Sequence, residues 1–220
     1  MSRKGDILHV LATKSSNKQL VHRNALAVFA DLKVLLRETA AELNSQICAI
    51  DHSVVVEFVD RGEYEVEIRF SGDSLIFQVH SNAFALPEKH PLRQTPYVQA
   101  DEKRAFFGLI HVYNFLSDSF KMRRMNDAGM LLSRFFVNGE GHYMAEGLGR
   151  LGIPLTEASI TPEVMQSWVE HAMLQAMDMD LVVAPFNEIH EISVMELEGL
   201  REELRQRTSK RLGYRPTGGR

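Results

Sequence analysis

Residues 64–70 read YEVEIRF, in which apolar and charged side chains alternate along the whole segment. Because successive side chains of a β-strand point to opposite faces, this alternation predicts a strand with one packed face and one solvated face. Two further apolar runs flank the segment, at 54–59 and 75–80. The joins carry glycine, in RGE (61–63) and SGDS (71–74), which is typical of turns. The pattern therefore predicts a three-strand antiparallel meander.

A second group of strands is predicted after a loop at 82–103 that contains three prolines. Loops of this length are usually either functional or disordered. Residues 105–116 read AFFGLIHVYNFL, and a central strand is favoured over a buried helix because aromatic and β-branched residues dominate. Together with the meander, these strands span 53–146. The remaining strands of this group are predicted at 120–125, 130–137 and 140–146.

Helices are predicted on both sides of the strands in the sequence. The segment SNKQ (16–19) has the spacing of a capping box, and apolar residues recur after it at steps of three and four, which predicts a long helix over 17–44. The segment TPE (161–163) has the residue order of a helix N-terminus and predicts a helix over 162–180. Apolar spacing in the last part of the chain predicts another helix over 193–207.

These elements predict an α+β fold. It consists of an antiparallel sheet of about six or seven strands, a long N-terminal helix and two C-terminal helices packed on one face. Residues 1–204 are interpreted as a single domain, and a basic tail at 208–220 is expected to be disordered. The chain has 220 residues, enough to bury a core without disulfides, and its single cysteine cannot form an intramolecular bridge.

Composition and charge point to a cytoplasmic protein. No apolar run reaches the roughly 18 residues of a membrane span, no leader-like segment is evident, and one cysteine among ten methionines suits a reducing compartment. The net charge of −4 argues against nucleic acid as a partner of the whole surface. However, residues 205–220 carry six basic residues and no acid, so residues 1–204 have a net charge of −10.

The basic tail is a candidate contact with nucleic acid or with an acidic partner. A tail that is simply solvated is the alternative. The tail candidates are Arg207, Lys210, Arg211 and Arg215.

Local motifs for metals, cofactors and nucleophiles are not evident. The nine histidines are at least ten positions apart, and the chain has no HExxH, GxxxxGK[ST] or GxSxG sequence. A weaker glycine string lies at 139–152. It follows a predicted hairpin and lacks the strand, turn and helix order of a phosphate-binding loop, so its glycines are interpreted as turns. No metal and no cofactor are predicted.

The hairpin predicted at Asn138-Gly139 contains the main catalytic candidates. Asn-Gly between apolar runs favours a two-residue type I′ turn. This turn pairs Val137 with Glu140, Phe135 with His142, and Arg134 with Tyr143. Glu140, His142 and Glu146 then share one face, where His142 can act as a general acid or base beside two carboxylates. A solvated strand face is the alternative interpretation.

The opposite face of the same hairpin suggests an anion site. Arg134 and Tyr143 are predicted to meet there, with Lys121, Arg123 and Arg124 on the preceding predicted strand. Arginine binds phosphate and carboxylate in a bidentate manner, so Arg123, Arg124, Arg134 and Tyr143 are candidates for a small anionic ligand. Charge that protects an edge strand from aggregation is the competing explanation.

Three functional hypotheses follow. The leading one is an intracellular binding or protein-interaction module that self-associates, because the first helix is roughly 40 Å long and broadly apolar and no catalytic motif is evident. The second is a small-molecule enzyme that uses His142 and an arginine-lined anion site. The third is a nucleic-acid-associated protein that uses its basic tail.

Overall fold

The computed structural model describes residues 2–180, 183, 185–189, 191–195 and 197–199. Its helices are α1 (Arg3–Val10), α2 (Ser16–Cys48), α3 (Pro96–Ala100), α4 (Ser117–Lys121), α5 (Pro162–Met177) and α6 (Phe186–Ile189). Its strands are β1 (Val56–Asp60), β2 (Glu65–Phe70), β3 (Asp73–Val79), β4 (Phe84–Ala85), β5 (Phe106–Leu116), β6 (Met130–Asn138), β7 (Tyr143–Gly147) and β8 (Ile153–Thr156). The predicted α+β class is confirmed, with a long N-terminal helix, an antiparallel sheet and a helix after it.

The N-terminal helix is longer than predicted. A five-residue π-helical segment, Leu11–Ser15, joins α1 to α2, so one continuous helix runs from residue 3 to residue 48. The capping box predicted at 16–19 is wrong, because Ser16 lies inside the helix. The actual N-cap is Ser2, whose hydroxyl accepts a hydrogen bond from the Gly5 N–H at 3.2 Å.

The strands form one antiparallel sheet in the order β1-β2-β3-β5-β6-β7-β8, and β4 pairs with the start of β5. The predicted three-strand meander corresponds to β1, β2 and β3. The strand predicted at 105–116 is confirmed as β5, which lies in the middle of the sheet between β3 and β6. The strand predicted at 120–125 is wrong, since α4 and the turn after it occupy this part of the chain.

Helices α2 and α5 pack on one face of the sheet and form the main core. The α2 side chains that are buried there are Ala25, Phe29, Leu32, Leu36 and Ala40. From α5, Trp168 lies edge-on to Phe77 with ring centroids 5.8 Å apart. Its indole N–H donates to the Ser133 hydroxyl at 3.0 Å, and that hydroxyl donates to the Glu146 carbonyl at 2.7 Å. Polar contacts therefore fix α5 against β6 and β7.

Helix α2 lies very close to the sheet at Gly108 of β5. A Cβ atom at this position would lie 2.5 Å from the Cβ of Ala25 and 3.4 Å from the carbonyl oxygen of Val21. Glycine is required here because the two backbones are too close for any side chain. Next to this contact, the Asn24 amide donates to the carbonyls of Asn138 and Gly139, both at 3.0 Å.

The second face of the sheet is covered by chain segments that lack long helices. The loop predicted at 82–103 contains β4, α3 and two 3₁₀ turns, Pro91–Gln94 and Glu102–Ala105. A small apolar cluster forms beneath it from Leu86, Phe107, Leu109, Phe136 and Met144. The expectation that the charged side of β2 is solvated is wrong at Glu67, whose side chain has no exposed surface.

The helix predicted at 162–180 is confirmed as α5. Thr161 is its N-cap and accepts from the Val164 N–H, and Pro162 occupies the first turn. The helix predicted at 193–207 falls partly outside the described residues. Within the described part of this range, residues 194–195 and 197–199 are helical. The tail at 208–220 lies entirely outside them. No helix in the described part of the chain is both long and apolar enough to cross a membrane.

Candidate functional site

The β6–β7 hairpin turns through a three-residue loop, where two residues were predicted. The Asn138 N–H donates to the His142 carbonyl at 2.9 Å, and the Gly141 N–H donates to the Asn138 carbonyl at 3.2 Å. Gly141 has φ of +77°, a left-handed conformation that glycine adopts without steric strain. This geometry is that of a type I turn followed by a G1 bulge, so the type I′ prediction is wrong.

The loop begins one residue later and is one residue longer than predicted, and together these differences shift the strand register by three residues. Val137 lies opposite Tyr143 where Glu140 was predicted, and Arg134 lies opposite Glu146. Because the shift is an odd number of residues, each side chain of β7 shares a face of the sheet with the β6 side chains that were predicted to lie on the opposite face. The predicted contacts across this hairpin are therefore wrong, including the pairs 135–142 and 134–143.

The shifted register separates Arg134 from Tyr143. Tyr143 is buried in the core, where its ring stacks on Phe135 with centroids 5.5 Å apart. Arg134 lies on the other face, forms an ion pair with Glu146 at 2.5 Å, and covers the ring of Phe136 at 5.6 Å. Glu146 is thus engaged by an arginine and is not part of a shared site with His142.

The other two arginines of the predicted anion site lie after α4 and not on a strand. Arg124 forms ion pairs with Asp127 at 3.5 Å and with Asp118 at 4.0 Å. Arg123 is exposed and has φ of +51°. The structure therefore does not gather Arg123, Arg124, Arg134 and Tyr143 around one ligand. The tail candidates Arg207, Lys210, Arg211 and Arg215 lie outside the described residues.

Five side chains from the 82–105 region and the hairpin form what we call the Tyr97 cluster: Tyr97, Arg104, Asn138, Glu140 and His142. The Tyr97 hydroxyl lies 2.6 Å from His142 Nδ1, 2.6 Å from Asn138 Nδ2 and 3.4 Å from a Glu140 carboxylate oxygen. The Arg104 guanidinium donates to Glu140 at 2.9 Å and to the Tyr97 carbonyl at 3.1 Å. It also lies 4.5 Å from the centre of the Tyr97 ring.

Asn138 organises the cluster from a fully buried position. Its side-chain oxygen accepts from the Glu140 and His142 N–H groups at 2.9 and 3.0 Å, which holds the loop in a tight curve. Its amide nitrogen donates to the Tyr97 hydroxyl, so that hydroxyl can in turn donate a hydrogen bond to His142 Nδ1 when this nitrogen is unprotonated.

The surroundings of Tyr97 keep its phenol in the neutral form. Burial raises the pKa of the Tyr97 hydroxyl, the hydrogen bond from Asn138 opposes this rise, and the Glu140 carboxylate adds to it. A neutral phenol donates a hydrogen bond across the physiological pH range. Glu140 and His142 are 3.2 Å apart at their nearest atoms, so the cluster contains an acid–base pair with a hydroxyl donor beside it.

The sequence placed His142 beside Glu140 but missed Tyr97 and Arg104. Both are supplied by a segment about 40 residues earlier in the chain. The available signal was the length of the 82–103 loop, which favoured a functional or disordered segment. No local pattern indicates which end of the sheet such a loop reaches, because that contact is tertiary.

A second polar group, the Glu67 cluster, lies at the other end of the same face and consists of Glu67, Arg61, Arg69 and Ser74. Arg61 and Arg69 donate to the Glu67 carboxylate at 2.5 to 2.9 Å, and the Ser74 hydroxyl donates to it as well. Burial raises the pKa of Glu67, but these hydrogen bonds outweigh burial and hold the pKa below its ordinary value. The Glu67 carboxylate is buried and already bound by Arg61, Arg69 and Ser74, which indicates a structural role.

The glycine string does not form a phosphate-binding loop. Gly147 ends β7, a 3₁₀ turn covers Gly149–Leu151, and β8 begins at Ile153. A phosphate cradle needs a helix N-terminus after the glycines, and a strand follows instead. Within the described residues, no group of three or more histidine, cysteine, aspartate or glutamate side chains is placed to hold a metal ion.

The start of the N-terminal helix is a candidate interface, and we call residues 3–15 the projecting helix. None of its residues is buried, and the first buried residue after it is Asn17, whose amide donates to the Lys103 carbonyl at 3.2 Å. Four large apolar side chains are 49% to 64% exposed: Ile7, Leu8, Val10 and Leu11. At about 1.5 Å per residue, the segment is roughly 20 Å long.

Comparison with protein-family models, with curated proteins and with solved structures found no match for the chain.

Proposed function

We propose that this protein is a binding module that associates with a second copy of itself through the projecting helix. The observation that carries the proposal is a helix of thirteen residues with four large apolar side chains and no buried residue. Exposed apolar patches with a polar rim mark interaction sites. Ile7 and Leu11 are one turn apart and Leu8 and Val10 flank them, so the four side chains form one broad stripe.

Pairing with a second copy of the chain buries this apolar stripe. Two helices that pack side by side bury their apolar seams against each other, and a symmetric dimer uses the same patch on both subunits. In the Tyr97 and Glu67 clusters, most polar side-chain atoms bind one another. This favours a function carried out by the protein's surface over one carried out by these clusters.

Replacing Ile7 with glutamate should convert the protein to a monomer. The substitution places a charge in the centre of the stripe, where its burial in a dimer is unfavourable, so the dimer Kd should rise by roughly a hundredfold. Sedimentation velocity over a concentration series measures this change.

The matched control is His9→Glu, which adds the same charge to the same helix on the side away from Ile7. It should leave the dimer intact. A wild-type chain that sediments as a monomer at every concentration, or equal effects of the two substitutions, would contradict the proposal.

A second candidate function is small-molecule binding or catalysis at the Tyr97 cluster. The observation that favours it is the convergence of Tyr97 and Arg104 on His142 and Glu140 at a partly exposed position. Here His142 serves as the acid or base, Glu140 holds its ring, and Arg104 takes the place of the arginine-lined anion site.

A thermal-shift screen of small carboxylates and phosphates tests this candidate. A true ligand should raise the Tm of the wild-type protein, and His142→Ala should abolish this rise while His171→Ala, at a half-buried position on α5, should not. If no compound raises the Tm, or if the rise survives His142→Ala, the candidate fails. The nucleic-acid hypothesis stays a prediction, because its tail residues lie outside the described part of the chain.

A further inference from the structure

We infer that Tyr97 is a positioning residue of the Tyr97 cluster, whose hydroxyl fixes neutral His142 as the tautomer with its proton on Nε2. The site then offers a hydrogen-bond donor to a ligand that carries an oxygen acceptor. The ligand class rests on the second candidate function above, whereas the tautomer of His142 follows from hydrogen bonds within this chain.

The direction of these hydrogen bonds is set at the side chain of Asn138. Its oxygen accepts from the backbone N–H groups of Glu140 and His142 at 2.9 and 3.0 Å. A backbone N–H can only donate, so turning the amide over would place its NH₂ group against two donors. The NH₂ group therefore faces Tyr97 and donates to the hydroxyl at 2.6 Å.

The proton of the Tyr97 hydroxyl must then point to a different acceptor. Hydrogen bonds between a hydroxyl and an oxygen are roughly 2.5 to 3.0 Å long. The nearest Glu140 oxygen is 3.4 Å from the hydroxyl, which is too far, whereas His142 Nδ1 is 2.6 Å away. Burial raises the pKa of Tyr97, so the phenol keeps its proton. The hydroxyl therefore donates to Nδ1, which must be unprotonated to accept.

The competing arrangement places the proton on Nδ1 and directs it to Glu140. These atoms are 3.2 Å apart, at the long end of the roughly 2.7 to 3.2 Å range for an N–H donor and an oxygen. The Glu140 carboxylate is also bound by the Arg104 guanidinium at 2.9 Å. This arrangement leaves the Tyr97 proton with only the Glu140 oxygen at 3.4 Å. The distances therefore favour Tyr97 over Glu140 as the group that sets the tautomer.

The tautomer determines which ligand the site can take. Tyr97 occupies Nδ1, Nε2 has no hydrogen-bond partner among the described residues, and the His142 side chain is 20% exposed. A proton on Nε2 lets this nitrogen donate while the ring stays neutral, and the Arg104 guanidinium can only donate. Two donors suit a carboxylate or phosphate oxygen, whereas an amine or amidine would meet a second donor. Neutral His142 is thus a donor to the ligand and not a general base.

Two-bond ¹H–¹⁵N correlation spectra of the full-length protein test the tautomer directly. They are recorded at about pH 8.5, well above the ordinary pKa of imidazole. The His142 signals, identified by their absence from His142→Ala, should show the proton on Nε2. His171 is the internal reference for the other tautomer, because its Nδ1 lies 2.7 Å from the Ser167 carbonyl, which can only accept. A wild-type His142 with its proton on Nδ1 overturns the inference.

Two substitutions separate the effect of Tyr97 from that of Glu140. Tyr97→Phe removes the donor to Nδ1, so the proton of neutral His142 should move to Nδ1, where Glu140 can accept it. Glu140→Gln is the control, which leaves the Tyr97 hydroxyl in place and should leave the proton on Nε2. An unchanged tautomer in Tyr97→Phe contradicts the positioning role. The wild-type spectrum decides the tautomer even if Tyr97→Phe does not fold.

Titrations with acetate, inorganic phosphate and acetamidine test the ligand class. Acetate or phosphate should shift the His142 Nε2 resonance to saturation, and Tyr97→Phe should weaken this binding about tenfold, because Nε2 then presents a lone pair to the ligand oxygen. A response to acetamidine alone, or equal affinity of Tyr97→Phe, overturns the ligand class. If none of the three probes binds, the second candidate function fails, while the wild-type spectrum still decides the tautomer.

Discussion

Replacing Glu67 with glutamine is expected to lower the free energy of unfolding by about 3 kcal/mol. The carboxylate is fully buried and lies between two arginines that are themselves largely covered, with 28% and 21% of their side chains exposed. A neutral amide removes the buried counter-charge of both guanidinium groups, which leaves Arg61 with only Glu65 and Arg69 with only Glu57, two more exposed carboxylates. It also presents an NH₂ group to donors that need an acceptor.

Urea denaturation at pH 7 measures this loss. The control is Glu65→Gln, on the same strand, because Glu65 is partly exposed and lies 3.6 Å from Arg61. Its effect should stay below about 1 kcal/mol, as for other exposed ion pairs. Similar losses from the two substitutions would show that the Glu67 cluster does not stabilise the fold in the way its geometry implies.

Wild type and Glu67→Gln should also differ in their response to acid. The pKa of Glu67 is lower in the folded protein than the value of about 4.3 in an unfolded chain. Its contribution to stability is therefore complete above the unfolded pKa and is lost as the pH falls through the folded pKa. The stability difference between wild type and Glu67→Gln should be constant from about pH 8 to 6 and should shrink below about pH 4.

Replacing Gly108 with alanine should destabilise the protein by about 2 kcal/mol. The new methyl group would lie 2.5 Å from the Ala25 Cβ, so α2 must move away from β5. Movement of α2 also strains the hydrogen bonds from Asn24 to the hairpin. Thermal and urea unfolding both report this change.

A double-mutant cycle identifies the cause. Ala25→Gly removes the atom that the new methyl group meets, so the double variant should lose less stability than the two single losses added together, although glycine inside a helix itself costs about 1 kcal/mol. Gly72→Ala is the matched control, because a Cβ there meets nothing within 4 Å, and it should be nearly neutral. Additive losses at positions 25 and 108 would rule out the steric explanation.

The features that the sequence predicted well are those set by local periodicity. Alternation in 64–70 identified β2, and the apolar run at 105–116 identified β5 despite its ambiguity with a helix. Alternation also predicted a solvated side for β2, and this failed at Glu67. Arg61 covers Glu67 on this side of the strand, and its guanidinium lies 4.8 Å from the centre of the Phe120 ring. Strand periodicity contains no information about such a contact.

The hairpin shows why the candidate site was only partly predictable. NGEGH contains two glycines, and either can supply the left-handed residue of a tight turn. In the structure Gly141 supplies it, and Asn138 forms hydrogen bonds with Asn24, with Tyr97 and within its own loop. Asn24 and Tyr97 are 114 and 41 positions away in the chain, so the choice of turn is made by tertiary structure.

The hydrogen bonds from Asn24 to the hairpin also affect how the chain is made. A ribosome that adds about 10 residues per second needs roughly ten more seconds to reach Asn138 after Asn24. During this interval the first helix and then β1 to β5 are completed, while β6, which also packs on α2, is not. The contact between α2 and the hairpin therefore cannot form until more than half of the chain has left the ribosome.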